Sequence, residues 1–288
     1  MKAKFGVRCV VWATIASFCS TYVGAAPVSL ANMPLVSVST KAVPPNVFFV
    51  LDDSFSMNSA YMPDSVNDDN EKNCYRNHGY NSIYYNPGTI YEPPLKYDGT
   101  SYPNSPFTKA PNDGFNPNSN TTNLSTSFSA GSGSGSSNSN GAAYYYRYRA
   151  DPDNPPSTCA GNNSYEIVKI AAADQQSFAN WYSYYRSRLN MMKTAVSRAF
   201  VGVDDKYRVG FTTINETGTG TNRFLGNAVF NSTQKQNWYG KLAGLTIPNS
   251  PIQYTPLRGA LSKAGRYYAG RLSNATDPMQ YSCQKNFT

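Results

Sequence analysis

One short apolar run limits the fold of this chain more than any other feature. Residues 46–51 read NVFFVL, a continuous run rich in β-forming side chains. A run of this length and composition is typical of a strand buried on both faces, as in a parallel sheet. The polar stretch DDSFS, residues 52–56, follows at once. The sequence therefore predicts a central strand whose carboxyl end carries a polar loop.

The second half of the chain alternates between helical and strand-like patterns. An apolar stripe at steps of three and four predicts a helix over residues 172–200, with Phe178, Trp181, Tyr182, Tyr185, Leu189, Met192 and Val196 on one face. Further predicted elements are a buried strand at 207–214, an antiparallel edge strand at 224–230, helices at 234–245 and 256–271, and the start of a strand at 284–288. This order predicts an α/β fold with a mostly parallel sheet flanked by helices. In such sheets, ligands bind at the carboxyl ends of the strands.

A long segment between the first strand and the first long helix breaks this pattern. Residues 58–163 are rich in Asn, Pro, Ser, Gly and Tyr, which predicts an irregular insertion. Its low-complexity centre, residues 116–141, predicts a flexible loop tip, because such a composition buries too little apolar surface to offset the entropy of ordering. The aromatic and Pro-rich residues 80–97 are candidates for an ordered part.

The N-terminus has the layout of an export signal. Basic residues accompany a mostly apolar stretch at 7–18, and small residues follow at 23–26. This predicts a secretory signal peptide over residues 1–26, then an extension at 27–45 and the domain at 46–288. A membrane anchor is the alternative, but the apolar stretch is shorter than the roughly 20 residues that span a bilayer. No later segment is apolar enough to cross a membrane, so the processed chain is expected not to span one.

Charge argues against a nucleic-acid partner. Loss of the signal peptide would lower the formal net charge from +8 to +5, because three basic residues and no acidic ones lie in it. The remaining Lys and Arg residues are scattered, whereas a nucleic-acid interface needs a clustered basic face. Charged residues make up only 15% of the chain, against about 25% in average soluble proteins.

Three cysteines remain after the signal peptide: Cys74, Cys159 and Cys283. In an oxidising compartment, a pair is expected to form a disulfide. Cys74 and Cys159 flank the irregular region and are the preferred pair. Cys283 then has no partner in this sequence.

Asp52, Ser54 and Ser56 form a D-x-S-x-S motif directly after the first strand. Three oxygen side chains at alternate positions can converge on one hard cation, and Mg²⁺ favours oxygen ligands while keeping several waters. Asp and Ser are also common turn residues, which is the plainer interpretation. Thr255, before a predicted helix, is a candidate ligand from a second loop. It is equally a candidate N-cap with Pro256 at the first helical position, and the two roles are compatible.

The D-x-S-x-S motif after an apolar strand, with T-P-L-x-x-A-L starting at Thr255, resembles a von Willebrand A domain. The resemblance implies a metal-ion-dependent adhesion site in which Asp52, Ser54, Ser56 and Thr255 hold Mg²⁺ or another divalent cation such as Mn²⁺ or Ca²⁺. Phe55 stands where the family often has Gly. Because a bulky residue resists positive φ, a shifted loop or a weaker metal site is expected.

Other segments resemble the PilC/PilY proteins of type IV pili, namely residues 84–87, 91–94, 178–188, 191–193, 207–211 and 281–287. The resemblance implies an adhesion and pilus-biogenesis factor of the periplasm, outer cell surface and pilus tip. Its implied partners are major and minor pilins and a ligand on a host or abiotic surface. It also implies that the chain stops before the strand with the third metal-binding aspartate. A C-terminally incomplete, marginally stable domain with weak Mg²⁺ binding is therefore expected.

Catalysis is not expected from this sequence. The only histidine, His78, lies among Asn, Gly and Tyr residues, and no G-x-S-x-G motif is present. Two binding alternatives stay open beside the pilus hypothesis. The chain could be a general secreted metal-dependent binding module, or a non-functional remnant of a pilus protein.

Overall fold

The computed structural model describes residues 43–129, 141–247 and 254–288. The signal peptide expected at 1–26 lies outside these ranges, as does most of the extension expected at 27–45. The strands in the described part are β1 (Asn46–Leu51), β2 (Ala110–Pro111), β3 (Thr121–Thr122), β4 (Tyr144–Tyr148), β5 (Tyr165–Lys169), β6 (Arg208–Thr213), β7 (Phe224–Val229) and β8 (Asn286–Phe287). The α-helices are α1 (Gln175–Tyr184), α2 (Arg188–Phe200), α3 (Ser232–Ala243) and α4 (Leu257–Tyr268). None of the helices in these ranges combines the length and the apolar character needed to cross a membrane.

Strand β1 lies inside a four-stranded sheet with the order β7-β6-β1-β8. It pairs in parallel with all of β6, from Asn46 opposite Arg208 to Leu51 opposite Thr213. It also pairs in parallel with β8, while β7 runs antiparallel to β6. The mainly parallel sheet and the antiparallel strand beside it are confirmed. Strand β6 is one residue shorter at each end than the predicted 207–214.

The side chains of β1 alternate between two cores on opposite faces of the sheet. Leu51 faces a core built with α2 and α3, in which Trp238 of α3 is fully buried. Phe48 packs instead against Tyr267 of α4, with ring centroids 4.7 Å apart. Helices therefore cover both faces, which explains why the strand is apolar at nearly every position.

The single helix predicted over residues 172–200 is two helices, α1 and α2. Ser187 caps the start of α2, where its side chain accepts a hydrogen bond from the Asn190 backbone N–H at 3.2 Å. The hydroxyl of Thr194 donates to the Tyr184 carbonyl at the end of α1 at 2.7 Å. The apolar stripe is divided accordingly: α1 packs into the insertion and α2 packs on the sheet.

The insertion has little regular structure but a core of its own. Short 3-10 helices occur at Asp64–Asp69, Asn73–Arg76 and Phe107–Lys109, and β2 pairs with β3. Its aromatic side chains gather around α1, where Trp181 donates its indole N–H to the Ile83 carbonyl at 3.0 Å. Outside β4, the backbone of residues 58–163 is mostly irregular, whereas the side chains pack in a core.

Two of the described residues in the flexible tip predicted at 116–141 are buried in the structure. Leu124 and Phe128 are 0% and 1% exposed and belong to the insertion core. Residues 130–140, the centre of the low-complexity stretch, lie outside the described ranges. A single buried aromatic side chain covers about 150–250 Å². Two apolar residues in a polar stretch can therefore anchor it, which composition alone does not reveal.

Buried tyrosines predict that the fold is lost at high pH. Burial raises the pKa of Tyr85 and Tyr184 well above the ordinary value and raises that of Tyr268 to about 12. Because an unfolded tyrosine titrates near pH 10, the unfolded chain releases these protons before the folded chain does. The stability that depends on these groups is complete below about pH 10 and is lost as the pH rises towards 12 and above. We expect cooperative alkaline unfolding in this window, followed by circular dichroism together with tyrosinate absorbance. Ionisation of most tyrosines below pH 10 with the dichroism unchanged would contradict this.

Candidate metal centre

The D-x-S-x-S loop follows the carboxyl end of β1, which is an interior strand of the sheet. Because β6 runs parallel to β1, with Thr213 opposite Leu51, these two strands end at the same edge. Strand β8 pairs only with the first two residues of β1. Ser54 has extended backbone angles, φ −66° and ψ 159°, and a 3-10 helix follows at Phe55–Asn58. The chain thus turns back immediately after the strand, which keeps the polar side chains close together.

The three predicted ligands of this loop are brought together. The Asp52 Oδ1 atom accepts a hydrogen bond from the Ser54 backbone N–H at 2.8 Å. The hydroxyl oxygens of Ser54 and Ser56 lie 3.2 Å apart. Ser54 is 1% exposed, whereas Asp52 is half-buried and Ser56 is exposed. The group therefore opens from the protein interior to solvent on one side.

This donor set fits a small, hard cation. Two ligands at adjacent corners of a Mg²⁺ octahedron with bonds of about 2.1 Å lie about 3 Å apart, close to the separation of the Ser54 and Ser56 hydroxyls. All three side chains offer oxygen, the ligand type that Mg²⁺ prefers. Asp52 adds a carboxylate, and its partial exposure leaves room for water or for a partner's group.

Phe55 does not strain the loop. Among the described residues, Asn274 is the one non-glycine residue with positive φ. Phe55 begins the short 3-10 helix instead, and its side chain is 45% exposed. The loop follows a path that any residue can adopt at this position, so the expected conflict between Phe55 and positive φ does not arise.

Asp53 has a different environment from its neighbour Asp52. Its carboxylate is fully buried and accepts hydrogen bonds from the Asn215 backbone N–H at 3.1 Å and from the Asn215 side chain at 3.0 Å. Arg223 donates to the other oxygen at 2.6 Å. Sequence reasoning assigned no role to Asp53, Asn215 or Arg223. The adjacent acidic pair was the available signal, since neighbouring residues of an extended chain face opposite ways.

The helix α4, which follows Thr255, runs from the carboxyl edge of the sheet towards its middle. Lys263 of α4 donates to the Glu216 carbonyl at 2.6 Å, just beyond the carboxyl end of β6. One turn later, Tyr267 contacts Phe48 in the middle of β1. The helix α4 therefore begins at the carboxyl edge, and Thr255 precedes it by two residues. Thr255 is exposed, and within the described ranges no hydrogen bond joins it to residues 52–56. Its role as a ligand stays a prediction.

The capping alternative for Thr255 is wrong. Helix α4 starts at Leu257, with Pro256 at the cap position and no side chain capping the helix. The ψ of 57° at Pro256 lies outside the helical region, so the helix begins one residue later than expected.

Cys74 and Cys159 are joined in a disulfide, and Cys283 is free and exposed. Next to the disulfide, Asn73 and Asn162 are joined by two hydrogen bonds, of 3.0 and 3.1 Å. Asp69 is the acidic residue that approaches the two sulfur atoms. Because those sulfur atoms are already bonded to each other, this group offers no thiolate to a metal.

Comparison with known proteins gives relatives of one kind. The chain is 34% identical, over 94% of its length, to the type IV pilus biogenesis factor PilY1 of Pseudomonas aeruginosa strain UCBPP-PA14. It is 30% and 29% identical, over 91% of its length, to the proteins of that name from strains PAK and PAO1. The chain spans about a quarter of the length of these relatives, 24% in each case. No family model and no solved structure matches the chain. Nearly the whole chain is thus homologous to part of the type IV pilus biogenesis factors named PilY1, as its motifs indicated.

Proposed function

We propose that this chain is a von Willebrand A-type binding module of a type IV pilus biogenesis factor, and that it binds its partner through a divalent cation. The observation that carries the proposal is the convergence of Asp52, Ser54 and Ser56 at the carboxyl end of the central strand. The homology to PilY1 supports the role in pili. The mainly parallel sheet, with helices packed on both faces, supports the von Willebrand A-type fold.

Electrostatics favours an acidic group on the partner. Arg223 neutralises Asp53, so Asp52 is the one carboxylate of the loop left to balance a cation. A divalent ion held there keeps a net positive charge towards solvent. When bound, the cation would supply an attachment point for a carboxylate, while the hydroxyls of Ser54 and Ser56 hold it in the loop. Thr255 would contribute from the second loop. Mg²⁺ is the proposed ion, with Mn²⁺ and Ca²⁺ as alternatives.

Partners and location are proposed together with this site, and the relatives' name as type IV pilus biogenesis factors supports the link to pili. The acidic group would belong to a pilin or to a ligand on a host or abiotic surface. Export to the periplasm and the outer cell surface, with a place at the pilus tip, would bring the module to these partners.

Cation titration of the full chain tests this function. We expect the Asp52→Asn and Ser54→Ala variants to bind Mg²⁺ at least about 10-fold more weakly than the wild type by isothermal calorimetry. Asp52→Asn removes the negative charge of the loop's unpaired carboxylate, and Ser54→Ala removes a hydroxyl ligand. The Thr255→Ala variant should show a loss as well if Thr255 is a ligand. Asp205→Asn and Ser65→Ala, both at exposed positions, are the matched controls and should leave the affinity unchanged. Equal affinity in the wild type and the Asp52→Asn variant would refute the site.

A further inference from the structure

Both oxygens of the buried carboxylate next to the proposed ligand Asp52 accept hydrogen bonds, three in all. Both donors of Asn215 reach Asp53 Oδ1, and Arg223 Nη1 reaches Oδ2 at 2.6 Å. Asp53 is 0% exposed, and the Arg223 side chain is 24% exposed. Asp53 is therefore unsuited to bind a cation directly. It fixes the backbone at the point where β1 passes into the D-x-S-x-S loop.

Arg223, the ion-pair partner of Asp53, also contacts the segment that follows α3. Its Nη2 atom donates to the Thr246 carbonyl at 3.0 Å. The residues on either side of Thr246, Leu245 and Ile247, are buried in the core between the sheet and α3. Thr246 lies nine positions before Thr255 in the sequence. One guanidinium thus joins the start of the first candidate metal loop to residues 245–247, which precede the second loop in the sequence.

We propose that Asp53 and Arg223 act as a positioning pair for the cation centre, setting the spacing between the loop of Asp52 and residues 245–247. This inference rests on the proposed function. Because Asp53 directly follows Asp52 in the chain, a shift of the backbone at Asp53 displaces the candidate ligand as well. The planar guanidinium holds both contacts at once, which a single ammonium group does less rigidly.

The relative affinities for Mg²⁺ and Ca²⁺ distinguish a role in positioning the ligands from a contribution to stability alone. Mg²⁺ requires near-ideal octahedral geometry at about 2.0–2.1 Å, whereas Ca²⁺ accepts a looser shell at about 2.3–2.6 Å. Loosening the spacing of two loops therefore harms Mg²⁺ binding more than Ca²⁺ binding. A variant that only unfolds part of the chain lowers both affinities in the same proportion.

The test compares Arg223→Gln with Arg198→Gln in the full chain. Arg198 of α2 is a matched control, because it also contacts both a carboxylate and backbone carbonyls. It donates to the Glu92 carboxylate and to the carbonyls of Glu92 and Pro93. We expect Arg223→Gln to weaken Mg²⁺ binding about 10-fold or more, in the range for groups that orient metal ligands, and to weaken Ca²⁺ binding several-fold less. Arg223→Lys, which keeps a positive charge opposite Asp53, should be intermediate and serves if the glutamine variant does not fold. Arg198→Gln should change neither affinity.

Hydrogen exchange in the absence of cations gives an independent measurement. We expect faster amide exchange at residues 245–247 in Arg223→Gln and unchanged exchange there in Arg198→Gln. Unchanged Mg²⁺ affinity in Arg223→Gln, equal losses for Mg²⁺ and Ca²⁺, or unchanged exchange at these residues would overturn the positioning role while leaving the proposed function in place. A wild-type chain that binds no cation would overturn both.

Discussion

Replacing Trp238 with alanine is expected to lower the free energy of unfolding by about 3–5 kcal/mol, the range for a buried Trp or Phe reduced to Ala. The indole is 0% exposed, stacks on Phe200 with centroids 4.4 Å apart, and contacts Phe49 and Phe211 of the sheet. Its N–H donates to the Gly210 carbonyl at 3.1 Å. For a domain of this size, the melting temperature should fall by roughly 10 °C, measured by circular dichroism.

Two controls show whether the effect comes from the buried ring. Trp238→Phe should lose less, because it keeps an aromatic ring but leaves the Gly210 carbonyl without the indole donor. Leu261→Ala removes a large apolar side chain that is 69% exposed on α4 and should stay within about 0.5 kcal/mol of the wild type. A loss below about 1 kcal/mol for Trp238→Ala would mean that this core does not carry the stability of the sheet.

Removing the disulfide should destabilise the chain by a similar amount. The bond closes a segment of 85 residues, for which the chain-entropy relation gives about 4.5 kcal/mol and typical measured losses are about 2–5 kcal/mol. We expect the double variant Cys74→Ser/Cys159→Ser to show this loss in denaturant titrations. The same loss should appear when the wild type is titrated under reducing conditions.

Cys283→Ser is the matched control, because Cys283 is free and exposed. It should change the free energy of unfolding by less than about 0.5 kcal/mol. If Cys283→Ser cost as much as the double variant, the pairing of Cys74 with Cys159 would be wrong.

Local sequence patterns predicted the elements around the site well. The run at 46–51 coincides with β1, because its apolar character comes from cores on both faces of one strand. The position of the D-x-S-x-S loop followed from that strand. The antiparallel strand β7 was also predicted from its own short segment. In each case, the information lies within a few neighbouring residues.

Features that depend on distant contacts were not predicted. The break between α1 and α2 occurs because the two halves of one apolar stripe face different cores. Arg223 lies 170 residues from Asp53, its ion-pair partner, and no local pattern identifies Arg223 as that partner. The packing of Phe128 depends on Phe178 of α1, 5.5 Å away between ring centroids. Periodicity and composition contain no information on such pairs.

The position of the disulfide has a consequence for how the sheet assembles. Asn46 of β1 and its parallel partner Arg208 of β6 are 162 residues apart, and pairing over such a separation slows folding. The bond between Cys74 and Cys159 bypasses 85 of those residues. An oxidised chain therefore closes a loop about half as long, which lowers the entropy cost of bringing the two strands together by about 0.6 kcal/mol. The disulfide of the insertion thus favours the pairing of β1 with β6, provided that the bond forms before these strands pair.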